Sequence, residues 1–226
     1  MDDLSINLQG FFGPMEYIKP EDINYLYELL LDNNQHLKVL PYKIYKEIPK
    51  THLRLFAHFN AIYTFPTLEL ANWLLDNYDM KSAIEIGCGH GSLARHLNIP
   101  ATDGKIQEYP DANLLYNLSR QPTIKYPDYV EKLTANEAIK KYKPKTVIAC
   151  WCTQLYDENE HYRGGSIYGV DETELIKQVD NYVFIGNQAI HEMKKILEFN
   201  HNTFKPEWIV SRSQYTECNI IYTWEK

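Results

Sequence analysis

Seven consecutive residues, Glu85-Ile86-Gly87-Cys88-Gly89-His90-Gly91, combine a carboxylate with glycine at every second position that follows. They come directly after Ser82-Ala83-Ile84, the start of a short apolar run that reads as a strand, and before a helix expected from Ser92 to about Leu97. Glycines at such a turn let the backbone approach a ligand closely and adopt conformations that a side chain forbids. Glu85, two places ahead of the first glycine, can receive an ammonium group directly or through water. Asp103 stands 18 residues after Glu85, at the end of the next strand signal, Ile99-Pro100-Ala101-Thr102. A carboxylate at that place accepts hydrogen bonds from both hydroxyls of a ribose. Together these residues point to a nucleoside-type ligand.

The glycine run resembles motif I, E/D-x-G-x-G-x-G, of the class I S-adenosylmethionine-dependent methyltransferases, and Glu85, Gly87, Gly89 and Gly91 fill every specified position. The resemblance covers roughly residues 67–226. It implies methyl transfer from S-adenosylmethionine, with Glu85, Gly87, Cys88, Gly89, Gly91 and Asp103 at the cofactor. It also implies an adenine contact after the third strand, where Thr134, Ala135 and Asn136 stand. The family more often has Asp there, and Thr134 with Glu137 equally has capping-box spacing. Cys150 and Trp151, at the carboxyl end of the fourth strand, fall in the same crevice.

Two other readings stay open. A dinucleotide loop, G-x-G-x-x-G, would make the chain a nicotinamide (NAD(P)) oxidoreductase, but Gly91 comes one place too early and Ser92 holds the required position. A silent S-adenosylmethionine sensor or scaffold is permitted by the unusual loop Cys150-Trp151-Cys152-Thr153-Gln154. That loop carries neither the D/N-P-P-Y/F motif of amino-methylating DNA enzymes nor the Pro-Cys of cytosine-C5 enzymes, which disfavours both kinds of base methylation.

The elements that must position these residues read as an α/β chain. A helical N-terminal extension or lid over 1–66 precedes a Rossmann-like domain over 67–226. Helices are expected after Pro20, along Ile23, Leu26, Tyr27 and Leu30, and after Pro66, along Leu68, Ala71, Leu75 and Tyr78 with Thr67 as cap. Strands are expected at 82–86, 99–102, 129–133, 146–151 and 182–185, and a helix over 190–197. Thr146-Val147-Ile148-Ala149-Cys150-Trp151 is nearly all apolar, as for a strand covered on both faces. Trp208 to Ser211 and Asn219 to Trp224 lie too close for a crossover helix, so they are expected to pair as an antiparallel hairpin. The result is a three-layer α/β/α sandwich around a seven-stranded, mostly parallel sheet. A long loop is expected from about Leu155 to Gly169.

Trp151, Tyr168, Asp171, Glu172, Asn187 and His191 are candidates to line the acceptor pocket, with His191 or Glu172 as a base. Methyl transfer is a direct displacement, so the protein has to align, exclude water and sometimes take a proton. Asn60, Tyr63 and Thr64 are expected to close over the methionine end of the cofactor, with Tyr63 in contact.

The 226 residues carry a net charge of -7, which disfavours non-specific contact with phosphate backbones; Lys140, Lys141, Lys143 and Lys145 read as a solvated helix end. The four cysteines include a C-x-C at Cys150 and Cys152 without a second ligand pair, so no metal is expected. No run approaches the length of a membrane helix and the start does not read as a signal peptide. A cytoplasmic protein acting on a small molecule, or on a specific group of a macromolecule, is the expectation.

Overall fold

The computed structural model describes residues 18–157 and 168–226, so much of the loop expected between Leu155 and Gly169 lies outside the described residues. The chain is α/β. Its main sheet has five strands, β2 (Ala83–Ile86), β5 (Thr146–Cys150), β6 (Asn181–Asn187), β9 (Asn219–Glu225) and β7 (Asn202–Phe204), in that spatial order. β2, β5 and β6 run parallel, and β9 is antiparallel to both of its neighbours. The apolar runs seen in the sequence are these central strands. Val147 and Phe184 pack on one face, Ile148 and Val183 on the other, as the two-residue period of a strand requires. Each fully buried side chain of this kind contributes about 1.5–3 kcal/mol.

The expected seven-stranded, mostly parallel sheet does not form: the main sheet is five-stranded and mixed. Thr102–Asp103 (β3) and Glu131–Lys132 (β4) pair as a separate two-stranded sheet, tied to β2 by one bridge, Glu85 to Ala101. The local chemistry accounts for this. Pro100 has no N–H to donate to a ladder. Its carbonyl accepts from Glu85 N–H at 3.0 Å, and the Thr102 hydroxyl donates to the Glu85 carbonyl at 3.0 Å.

The expected C-terminal hairpin is also corrected. Val210–Ser211 (β8) turns away from β9 and pairs antiparallel with β1 (Thr64–Phe65), while β7 supplies the outer neighbour of β9. Asn219 replaces the missing ladder with its side chain. Its amide donates to the Ile209 carbonyl at 2.9 Å and its oxygen accepts from the Ser211 hydroxyl at 2.7 Å. β7 escaped the sequence pattern because all three of its residues are exposed on an edge.

Helices α4 (Leu68–Asn77) and α5 (Ser92–Leu97) lie where expected, and α7 (Ala135–Tyr142) starts at the Thr134–Glu137 spacing. Thr67 caps α4 by accepting from Leu70 N–H, and Thr134 with Glu137 completes a capping box on α7. The face of α4 is turned from the expected one: Leu70, Ala71 and Leu74 are buried, and Leu75 is exposed. The helix expected over 190–197 is instead α9 (Gln188–His191) and a separate 3-10 turn, Lys195–Glu198.

Before β1 come α1 (Tyr25–Leu30), α2 (Tyr42–Glu47) and α3 (Lys50–Phe59). Ile23, Leu26, Leu30, Tyr45, Phe56 and Phe65 form a core of their own there, which Val210 joins across the β1–β8 pair. No helix of the described residues is long and apolar enough to cross a membrane.

Candidate functional site

A cleft of about 1100 Å³ opens at the carboxyl ends of β2, β3 and β5, bordered by the glycine turn, β1, β8 and α6 (Pro110–Leu118). Gly87, Gly89 and Gly91 all have left-handed backbone, with φ of 52°, 56° and 62°. At Gly87 a Cβ would meet Cys152 Sγ at 2.5 Å, so the turn packs directly on the loop after β5. A Cβ at Gly89 would find only Ile124 Cδ1, at 3.3 Å, so that position faces the cleft.

Asp103 is where turn and cleft meet. Its Oδ2 accepts from Gly89 N–H at 2.9 Å and its Oδ1 from Lys105 N–H at 2.7 Å. Burial pushes its carboxyl up, against these two hydrogen bonds. Each carboxylate oxygen can accept a further bond, so the group remains able to receive a pair of hydroxyls. Beside it, Ile106, Ile124, Tyr126, Ala135 and Asn136 line a slot of mixed apolar and polar character. These residues fit an adenosine. Thr134, which the resemblance places at the adenine, lines the cleft as well, although its hydroxyl caps α7.

Glu85 lines the cleft, and its carboxylate also has a local partner. Its Oε2 accepts the N–H of Ala94, in the first turn of α5, at 2.9 Å, so it ties β2 to the helix after the glycine turn. Burial pushes its carboxyl up to about 8, opposed by the Ala94 N–H and the Cys150 thiol. The thiols of Cys88, Cys150 and Cys152 are raised by burial too, which keeps them protonated and unreactive at neutral pH.

Another wall of the cleft is built from Trp151 and His191. Trp151 is held in left-handed backbone, φ 55°, which swings its ring from the end of β5 into the cleft wall. The His191 ring stands edge-on to Trp151 and to Phe184, with centroids 5.1 and 4.9 Å away. Gly186 makes room for it: a Cβ there would sit 2.9 Å from His191 Nδ1 and 2.4 Å from Phe184. Nδ1 is engaged by the backbone of Asn187, so Nε2 is the ring nitrogen left for the cleft.

No family model and no curated protein matches this chain. The site is therefore read on its own chemistry. Of the residues singled out in the sequence, Glu85, Gly87, Cys88, Gly89, Gly91, Asp103, Thr134, Ala135, Asn136, Cys150, Trp151, Tyr168, Asp171, His191, Tyr63 and Thr64 are brought to the one cleft. Glu172 is not. It is buried behind the loop after β5, paired with Lys194 at 2.6 Å and accepting from the Tyr182 hydroxyl, so it is no base for this cleft. Asn187 is likewise structural, bonded to Tyr215 O and Asn219 Oδ1. Asn60 does not line the cleft, but its carbonyl bonds His90 Nε2 and so braces the glycine turn at 3.0 Å. Arg54, Gln107, Tyr116 and Arg212 line the cleft without having been singled out, because nothing local in the sequence marks them.

Burial holds His191 down at about 4, with the Lys194 charge adding to the effect. An unfolded imidazole titrates near 6.5. Between these values the unfolded chain carries the extra proton, so acid favours unfolding. The stability due to the neutral ring is complete above pH 6.5 and is lost as pH falls to about 4, a change of about 3 kcal/mol. Urea titrations from pH 7 to 4 are expected to show a steep acid limb that flattens in a His191→Gln variant. Equal slopes in the two proteins would show that the ring is not held neutral by the fold.

Proposed function

We propose that the chain binds S-adenosylmethionine and transfers its methyl group to a small-molecule acceptor, in a reducing, cytoplasmic setting. The observation that carries this reading is the bond from Gly89 N–H to Asp103, which joins a turn of three left-handed glycines to a ribose-type carboxylate at the rim of one cleft. S-adenosylmethionine, when bound, supplies a methyl group on a positively charged sulfur.

The work of the chain's own residues follows from their placement. Asp103 would hold the ribose hydroxyls, and Gly89 would let the backbone pass close to the ligand. Trp151 forms a wall that excludes water. His191, neutral at pH 7 and with its Nδ1–H donated to the Asn187 carbonyl, can take a proton at Nε2 from an acceptor hydroxyl or amine. The net charge of -7 favours a small acceptor over a polyanion.

Calorimetric titration with S-adenosylmethionine, S-adenosylhomocysteine and NAD tests the reading. Micromolar binding of the first two, with NAD silent, is expected. Binding of NAD alone would replace methyl transfer with hydride transfer.

A further inference from the structure

Arg212 occupies a place in the cleft that the binding of a cofactor by the glycine turn does not explain. It follows β8, and its backbone N–H donates to the Tyr63 carbonyl at 3.1 Å, which sets it beside β1. Its guanidinium carbon lies over the Tyr63 ring, 3.7 Å from the centroid. A cation–π contact of this kind holds the guanidinium against the ring, and its N–H donors can still serve a planar anion. Among the described residues no carboxylate lies within ion-pair distance of it.

The surroundings favour an anionic guest. The Tyr63 hydroxyl lies 3.4 Å from that of Tyr116, which also accepts from Gln107 Nε2 at 3.1 Å. Burial lowers His58, and the nearby charge of Arg212 adds to the effect. On the other side, the Tyr63 ring lies 6.2 Å from Trp151, and Trp151 stands against His191. Arg212 is thus separated from the His191 imidazole by two aromatic rings. The Trp151 indole N–H is buried and without a hydrogen-bond partner among the described residues.

We infer that the methyl acceptor is a small planar molecule bearing a carboxylate, and that Arg212, braced on Tyr63, docks that carboxylate while the other end of the molecule reaches Trp151 and His191. The inference rests on the methyl-transfer reading. Tyrosine and tryptophan walls suit a planar body, and a guanidinium fork suits a carboxylate held by two bonds. Arg212 is here a specificity residue.

The test uses the full chain saturated with S-adenosylhomocysteine, titrated by calorimetry with benzoate, benzamide and phenyl phosphate. Benzoate is expected to bind at least about tenfold more tightly than benzamide, the weight of one charge-assisted contact. Arg212→Gln should bring benzoate and benzamide level, Arg212→Lys should restore part of the preference, and S-adenosylhomocysteine affinity should stay unchanged in both. Equal binding of benzoate and benzamide by the unaltered protein would overturn the inference. So would tighter binding of phenyl phosphate than benzoate, which would make the group a phosphate. A tenfold loss of S-adenosylhomocysteine affinity in Arg212→Gln would place the guanidinium on the cofactor's own carboxylate and overturn it as well. If S-adenosylhomocysteine does not bind the unaltered protein, the methyl-transfer reading fails, and the benzoate and benzamide comparison without it still decides whether Arg212 holds a carboxylate.

Discussion

Lys194→Met is expected to destabilise the protein by about 3–5 kcal/mol, the range for breaking a buried ion pair from one side. The Lys194 and Glu172 side chains are 2% and 6% exposed. Lys194 Nζ meets Glu172 Oε2 at 2.6 Å and donates to the Cys152 and Thr153 carbonyls at 3.1 and 2.5 Å. Methionine fills nearly the same volume, so the change removes charge and donors with little loss of packing. Glu172 is then left buried with only the Tyr182 hydroxyl as a donor, and two carbonyls lose their partner.

The effect should reach the cleft. Trp151 and Thr153 both have left-handed backbone, at φ 55° and 49°, a costly conformation for residues with side chains. Lys194 holds the loop that contains them. Urea unfolding gives the size of the loss, and the double variant Glu172→Gln with Lys194→Met should recover part of it by removing both charges. A loss below about 1 kcal/mol would be that of a solvent-exposed pair and would contradict the burial.

Asp103→Ala is expected to weaken S-adenosylhomocysteine binding by about 100-fold or more. Two hydrogen bonds from ribose hydroxyls to a carboxylate contribute about 1.5–3 kcal/mol each, so losing both accounts for at least that factor. Gly89→Val should do as much by another route. Its φ of 56° is strained for a β-branched residue, and its side chain would project beside Ile124 into the cleft. Asp103→Asn keeps an oxygen for the turn and should lie between Asp103→Ala and the unaltered protein. Calorimetry on variants with intact unfolding transitions separates binding from folding. An affinity within threefold of the unaltered protein in Asp103→Ala would remove this carboxylate from the site.

His191 and Glu172 show how far residue type alone carries. Both are ionisable, both follow a strand, and both suit the role of base. His191 lines the cleft because Gly186 leaves space for its ring. Glu172 is turned inward to Lys194, a partner 22 positions away that no local pattern connects to it. A similar contrast separates Asp103 from Arg212. Asp103 was legible because its spacing from Glu85 follows from one strand, one turn and one helix. Arg212 was not, since its neighbour Tyr63 lies in a different part of the chain and meets it only through the β1–β8 pairing.

The features the sequence determined are local ones. Three glycines after a strand make a left-handed turn, Thr67 and the Thr134–Glu137 pair start helices, and the apolar runs of β5, β6 and β9 must be buried on both faces. Each rests on backbone sterics, capping or hydropathy within a few residues. Tertiary structure alone decided which strands share a sheet, which carboxylate is sealed into an ion pair and which arginines enter the cleft. Pro100 has no N–H for a ladder, Asn219 substitutes side-chain bonds for a hairpin, and Lys194 neutralises Glu172. Pairings of this kind depend on distance in space, and sequence spacing carries no measure of it.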